Sequence, residues 1–347
     1  TEGGNIMAGT ADHRVLSFNE KDNSFTSIYK EKANHEILGL FYDDDKKQTI
    51  ICSDRIVFLK QHNKIREQWL GAKSISIINK DLYAVAYTGG IGLLKLSDGS
   101  IAVPAWLIQP AAEWANNIYP ILPFATRGRS VAFNSRDTVL YAATTNGLFY
   151  FSPGGSGKIQ YQGKDIFGSQ VKVDAEGIYV AAYADGLYFI NGRQQAIHVD
   201  NNSISKTIYK LSKSGNNLWM IGDEVLQQYN IQTNTVKNYT YADGLPMAEF
   251  KDVLVNHNKI FLATTEGLVV FDEALNNKNK TAPVLVVNDF LVNNQPVDLT
   301  QNTHLKTGVN NVEINFSLLS FKSSSNTELI QYKINNGDWQ NLEKASR

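Results

Sequence analysis

The sequence predicts an all-β chain: a seven-bladed β-propeller over residues 1–275, then, from residue 282 to 347, part of an immunoglobulin-like β-sandwich. Three observations predict it. The stretch Leu140–Phe151, LYAATTNGLFYF, reads as two short strands joined at Asn146-Gly147, a pair suited to a type I′ hairpin with positive φ at both central positions. The unit recurs as LYAVAYTGGIGLLKL (82–96), IYVAAYADGLYFI (178–190) and IFLATTEGLVVFD (260–272), and more loosely as IMAGTADHRVLSFN (6–19), TIICSDRIVFLK (49–60) and LWMIGDEVLQQYN (218–230). These seven copies start at 6, 49, 82, 140, 178, 218 and 260, separated by 43, 33, 58, 38, 40 and 42 residues. A period near 40 in an all-β pattern points to one four-stranded propeller blade per repeat.

Within a repeat the quoted hairpin supplies strands B and C, with A before it and D after. In the second repeat A is Glu36–Tyr42, B Thr49–Cys52, C Ile56–Lys60 and D about Lys64–Trp69. In the sixth, A is Lys206–Leu211, B Leu218–Ile221, C Leu226–Asn230 and D Val236–Tyr239. The A–B and C–D turns carry Asp, Asn and Gly, as in Ser214-Gly215-Asn216-Asn217 and Gln232-Thr233-Asn234, residues that favour turn conformations. The first repeat lacks strand A and the seventh an obvious strand D. Ring closure is therefore expected from chain before Thr1 or from pairing of the terminal blades, and the chain reads as a piece of something larger.

The gap of 58 residues marks an insertion, Ala102–Gly128, expected between D of the third repeat and A of the fourth. It holds Trp106, Trp114, Tyr119, Phe124 and four prolines. Long connections in compact domains are often functional. Two readings stand: a cap whose aromatics pack on the propeller, or an aromatic platform for a sugar, whose C–H faces are apolar and rims hydroxylated. After Asp272 the repeats stop. Asn276–Lys280 reads as a polar linker, and strands near 284–291, 312–319 and 328–334 follow a sandwich-like pattern. About 65 residues remain against roughly 100 for a full sandwich, so the domain is expected to be truncated.

With 33 Lys and Arg against 34 Asp and Glu, the formal charge is −1. No basic field draws the chain to nucleic acid or an anionic membrane. A single cysteine, Cys52, lies in an apolar strand and cannot form an intramolecular disulfide. No run reaches the roughly 18–20 apolar residues of a membrane span. The six histidines are scattered without metal-ligand spacing, and neither a nucleophile elbow nor a phosphate loop is present. No catalytic residue, metal site or cofactor is assigned. Glu36, Glu249 and Asp252 near strand-A starts are the carboxylates an enzyme would have to use, and turn formation accounts for them as well.

In a propeller the D–A and B–C connections share one face, so residues just before strand A ring the mouth: His35, Lys73, Arg129, Ser169, Ser205 and Glu249. Of these, His35, Lys73, Arg129 and Glu249, with Arg127, Asp243 and the insertion aromatics Trp106, Trp114 and Tyr119, form the expected ligand-binding set. Solvated rim charges are the competing reading for each.

The copy LWMIGDEVLQQYNIQTNTVKNYTYADGLP resembles the two-component regulator propeller repeat, and Asp243-Gly244-Leu245-Pro246 matches its blade-junction motif. The tail APVLVVNDFLVNNQPV…NNVEINFSLLSF…IQYKINNGDW resembles the triple-tyrosine (Y_Y_Y) domain that follows such propellers, with Tyr332 matching its first tyrosine. Most copies replace the family's LWIGT with LYAAT, IYVAA or IFLAT. The resemblance implies the periplasmic sensor portion of a Bacteroides-type hybrid two-component sensor histidine kinase. It implies a small-molecule or oligosaccharide ligand, a homodimer in the full-length protein, and membrane attachment only through segments outside this chain. A non-catalytic protein-interaction propeller is the alternative.

Overall fold

The computed structural model describes residues 6–31, 35–96, 103–109, 112–115, 117–122, 126–223, 225–274, 284–298, 304, 307–319, 331–335, 337, 340 and 341. Those residues form antiparallel strands with two short 3₁₀ turns and no α-helix. They divide into two compact units: residues 1–238 with 248–273, and residues 239–247 with 274–347.

In the first unit seven antiparallel sheets follow one another in chain order, each built on one of the seven sequence copies. The first holds β1 (Ile6–Gly9), β2 (Arg14–Asn19) and β3 (Ser24–Lys30). The second holds β4 (Gly39–Asp43), β5 (Gln48–Cys52), β6 (Ile56–Lys60) and β7 (Asn63–Gln68). The third is β8 (Ala72–Asn79), β9 (Leu82–Tyr87), β10 (Gly90–Lys95) and β11 (Ile118–Leu122). The fourth runs from β12 (Gly128–Asn134) through β13 (Val139–Thr144), β14 (Gly147–Ser152) and β15 (Gly155–Tyr161) to a short β16 (Lys164–Asp165). The fifth is β17 (Gly168–Val173), β18 (Gly177–Ala182), β19 (Leu187–Asn191) and β20 (Ala196–His198). The sixth is β21 (Lys210–Ser214), β22 (Asn217–Ile221), β23 (Leu226–Asn230) and β24 (Thr235–Tyr239), and the seventh β25 (Phe250–Asn256), β26 (Lys259–Thr264) and β27 (Gly267–Asp272). Among the described residues the first and last sheets show three strands each.

Successive sheets share apolar cores. Ile50, Ile56 and Phe58 of the second meet Tyr83, Val85 and Leu94 of the third; Ala84, Ala86 and Leu93 of the third meet Leu140, Ala142 and Phe151 of the fourth. Alanines in the B strands keep facing sheets close. First strands of neighbouring sheets also touch, and there the backbone N–H groups need acceptors that their own sheet does not supply. A side chain of the preceding sheet provides them. Val131 N–H donates to Ser74 Oγ (3.2 Å), Phe133 N–H to Ser76 Oγ (2.9 Å), Val171 N–H to Ser130 Oγ (3.1 Å), Leu211 N–H to Gln170 Oε1 (2.7 Å) and Val255 N–H to Ser212 Oγ (3.1 Å). The first and seventh sheets meet through Ile6, Phe18, Phe261 and Leu268, and Lys259 pairs with Glu20 at 3.2 Å. Among the described residues these sheets meet by side-chain packing.

Three expectations need correction. Gly147 alone takes a positive φ, 116°; Asn146 does not, so the turn is not type I′. Thr144 and Gly147 form the last pair, and Thr144 Oγ accepts the Asn146 N–H at 3.0 Å while donating to the Gly147 carbonyl at 2.9 Å. This local bond holds Asn146 in an ordinary turn conformation and leaves the strain to glycine. Likewise Gly186 has φ 72° and Asp185 is not positive. Second, strand A of the sixth sheet starts at Lys210, because the Ile208 N–H goes to the Ala182 carbonyl of the fifth sheet (2.9 Å). Third, the insertion does not follow strand D of the third sheet but contains it. Residues 118–122, IYPIL, pair with β10, so the extra length lies between C and D. Pro120 is tolerated there because β11 is an edge strand.

In the second unit β28 (Val284–Val292) pairs with β29 (Gln295–Pro296) and with β30 (Val312–Leu319), and β31 (Gln331–Tyr332) pairs with β32 (Gln340–Asn341). The Tyr332 hydroxyl donates to Gln340 Oε1 at 2.8 Å. The linker Asn276–Lys280 and Phe124 lie outside the described residues.

Candidate ligand-binding face

One backbone hydrogen bond recurs at the same end of four sheets: Thr88 N–H to Gly71 O, Thr145 to Arg127, Tyr183 to Phe167, and Thr265 to Glu249, at 3.0–3.2 Å. Each joins the B–C connection to the segment entering strand A, so both connections lie on one face, as expected. Just inside it, strand A bulges in four sheets. Lys73, Arg129, Ser169 and Lys251 are skipped by the partner strand. A bulge re-aims the extra residue and ends regular pairing. The sixth sheet has no such bulge, and there Tyr209 holds the corresponding place, because Lys210 pairs with Ile221 as Ser130 pairs with Ala143. Three of these five positions are cationic, and Lys210 follows directly on the fifth. The sequence reading had placed Lys73, Arg129 and Ser169 on this rim but missed Lys210 and Lys251, which lie inside strand A rather than before it.

The cations are not equivalent. Lys251 pairs with Glu249 at 2.6 Å and Lys210 with Asp252 at 4.0 Å. Among the described residues Lys73 and Arg129 have no such carboxylate. The Arg129 guanidinium lies 4.3 Å over the Tyr183 ring, and its Nη1 is enclosed without a hydrogen-bond partner. Tyr183 meets Tyr209 edge-on, 6.2 Å between centroids; the Tyr209 hydroxyl donates to Asp223 Oδ1 at 2.8 Å, a bond that raises its pKa. Phe167, Tyr183 and Tyr209 are all exposed. Deeper in, Lys172 is reached by water yet enclosed by neighbouring strands; desolvation lowers its pKa, and the Asp252 charge opposes this.

At the second and third sheets the same face holds a shallow cavity of about 270 Å³, lined by Leu38, Ser53, Asp54, Gly71, Lys73 and Thr88. His35 Nε2 faces Asp54 Oδ2 at 3.2 Å, its carbonyl faces His13 Nδ1 at 3.1 Å, and its Nδ1 is enclosed without a partner. Next to Asp54, Arg55 is buried. It donates to Glu31 through Nε (3.1 Å) and Nη2, and to Glu67 through Nη1 (2.7 Å). Its guanidinium lies 4.9 Å from the ring of Trp69, which is 69% exposed. Trp69 and Asp54 were missed. The sequence reading absorbed Trp69 into strand D, yet β7 ends at Gln68 and Trp69 belongs to the D–A connection.

The insertion aromatics go elsewhere. Trp106 stacks on Phe133 (6.2 Å, 12°), and Trp114 packs on Tyr119 (5.6 Å) with Lys95 Nζ 5.2 Å over its ring. Tyr119 is buried, and its oxygen accepts the Gln109 N–H at 3.1 Å. Phe133 and Lys95 stand at the A–B and C–D ends of their strands, opposite the mouth, so the expected joint pocket of Trp106, Trp114 and rim charges does not form. Arg127 is exposed at the mouth. Asp243 accepts the Thr240 N–H at 2.9 Å and belongs to the second unit. Among the described residues no three His, Cys, Asp or Glu side chains gather as a metal cluster would require. None of their helices is long and apolar enough to cross a membrane.

No family model matches the chain. Over 164 residues, 42% of this chain, it is 23% identical to Histidine kinase P4 of Formosa agariphila, and the match spans 12% of that protein's length. Among solved structures it resembles the extracellular domain of a putative hybrid two-component system from B. thetaiotaomicron (TM-score 0.57, 13% identity, 81% of this chain and 39% of that one). It also resembles the WD40 propeller domain of Doa1 (TM-score 0.57, 12% identity, 78% and 88%). These likenesses establish a β-propeller fold.

Proposed function

We propose that the chain is the periplasmic ligand-sensing region of a hybrid two-component sensor histidine kinase, detecting a glycan or oligosaccharide and signalling across the inner membrane. The observation that carries this reading is the exposed Trp69 indole, backed by Arg55, beside a cavity bearing Asp54, Lys73 and hydroxyl side chains. An apolar ring face next to convergent polar groups suits a sugar, which presents both kinds of surface. The similarity to a histidine kinase and the propeller fold shared with a two-component extracellular domain support the sensory setting. No catalytic step is assigned to this region. The second unit is read as a triple-tyrosine domain that relays a change in packing between two sensor chains. Binding biases such an equilibrium only by its differential affinity for the two arrangements.

A thermal-shift screen of the chain against neutral oligosaccharides tests this, because a ligand that binds only the folded state raises Tm. At least one is expected to give a shift that Trp69→Ala removes while leaving the unliganded Tm nearly unchanged. A shift that survives Trp69→Ala moves the site elsewhere, and no shift from any saccharide refutes the glycan reading.

A further inference from the structure

We infer that the mouth carries an anion subsite, adjoining the cavity near Trp69 and sharing Lys73 with its lining, in which Lys73 and Arg129 hold a carboxylate or sulfate while Tyr183 supports the apolar face of the ring that bears it. The inference deepens the saccharide reading and rests on it: the ligand class becomes an acidic sugar.

Two observations carry it independently. The first is the charge balance. Lys210 and Lys251 have Asp252 and Glu249 beside them, whereas Lys73 and Arg129 sit at matching bulges of adjacent sheets with no carboxylate in pairing range among the described residues. Their strands are held side by side by the Val131 N–H bond to Ser74 Oγ, which fixes the two cations as neighbours on one wall. The second is the state of Arg129. Its Nη1 is enclosed and unpartnered, although a guanidinium offers five donors in a fork that matches a carboxylate or sulfate. The residue as a whole is only half-buried, so its accessible edge can meet an anion at the mouth, which the enclosed Nη1 does not reach. Tyr183 fixes the plane of the group and leaves its own ring 39% exposed, oriented against Tyr209, which Asp223 anchors. A rigid cation beside an exposed aromatic ring suits a pyranose bearing an acidic group better than a free anion, which would use only the charge.

Calorimetric titration of the whole chain tests the inference with three probes: a uronic-acid trisaccharide, its neutral methyl ester and sodium sulfate. The acid is expected to bind at least tenfold more tightly than the ester, with an advantage that shrinks as salt rises. Arg129→Gln and Lys73→Gln should each remove most of that advantage, and Arg129→Gln should leave ester affinity in place. Tyr183→Ala should weaken both sugars and leave sulfate unchanged. Equal affinity for acid and ester overturns the subsite but leaves saccharide recognition standing. An unchanged acid preference in both glutamine variants overturns it as well, and so does sulfate binding as tight as the acid. Should Arg129→Gln fail to fold, Lys73→Gln and the salt dependence still decide the question.

Discussion

Cys52 lies fully buried in β5, and desolvation pushes its thiol up to about 12. Thiolate is the reactive form, so the native chain should ignore a thiol reagent over hours at neutral pH and react fully once denatured; rapid native labelling would contradict the packing of β5. Gly128 tests a different constraint. A Cβ there would lie 2.3 Å from the Gly90 carbonyl oxygen and 2.8 Å from the Tyr87 nitrogen, both backbone atoms that cannot swing aside. Gly128→Ala should cost about 1–3 kcal/mol, the range for overpacking, read from the denaturant midpoint. Gly215→Ala, at a site with open space but φ 52°, isolates the strain of a positive φ alone. Single residues were the hardest feature to read from sequence. Trp69 follows directly on a strand-like stretch that ends Arg66-Glu67-Gln68, and only the place where pairing stops separates a strand end from an exposed platform.

Strands B and C were legible because their signal is local: apolar residues ending at a glycine that permits the turn, as at Gly147 and Gly267. Strands A and D answer to partners far away in sequence. The start of β21 is set by the fifth sheet, and β11 is hidden behind the insertion and interrupted by Pro120. The bulges that place Lys73 and Arg129 have no sequence signature beyond position, since pairing register exists only once both strands are present. The serine contacts between first strands are likewise invisible in sequence, yet they are testable. Ser74 and Ser130 are buried, and each accepts a backbone N–H from the next sheet. Removing an acceptor leaves that donor unsatisfied, which costs about 1–3 kcal/mol. Ser130→Ala should therefore lower stability by that amount and raise exchange of the Val171 amide. Unchanged protection of Val171 would mean that the bond does not hold β17 in place.

At the scale of the first unit, the question is what joins the first and seventh sheets. The junction between the fourth and fifth sheets has a large core, with residues from Ala132 to Ile190. The junction between first and seventh sheets rests on Ile6, Phe18 and Phe261 with Leu268 alongside, plus a half-exposed ion pair, Lys259–Glu20. Phe18 and Phe261 meet edge-on at 6.1 Å, and both are almost wholly buried. Truncating one buried phenylalanine typically costs about 3–5 kcal/mol, whereas a surface pair is worth less than about 1 kcal/mol. Among the described residues this junction is carried by a few aromatic and aliphatic contacts. Phe261→Ala should open that junction first: hydrogen exchange should rise in β1–β3 and β25–β27 while β9, β13 and β18 stay protected, because local opening follows the contacts that are lost. Lys259→Met should leave the exchange pattern unchanged. Uniform loss of protection across all seven sheets in Phe261→Ala would instead show that the ring unfolds as one cooperative body and that this junction is no weaker than the rest.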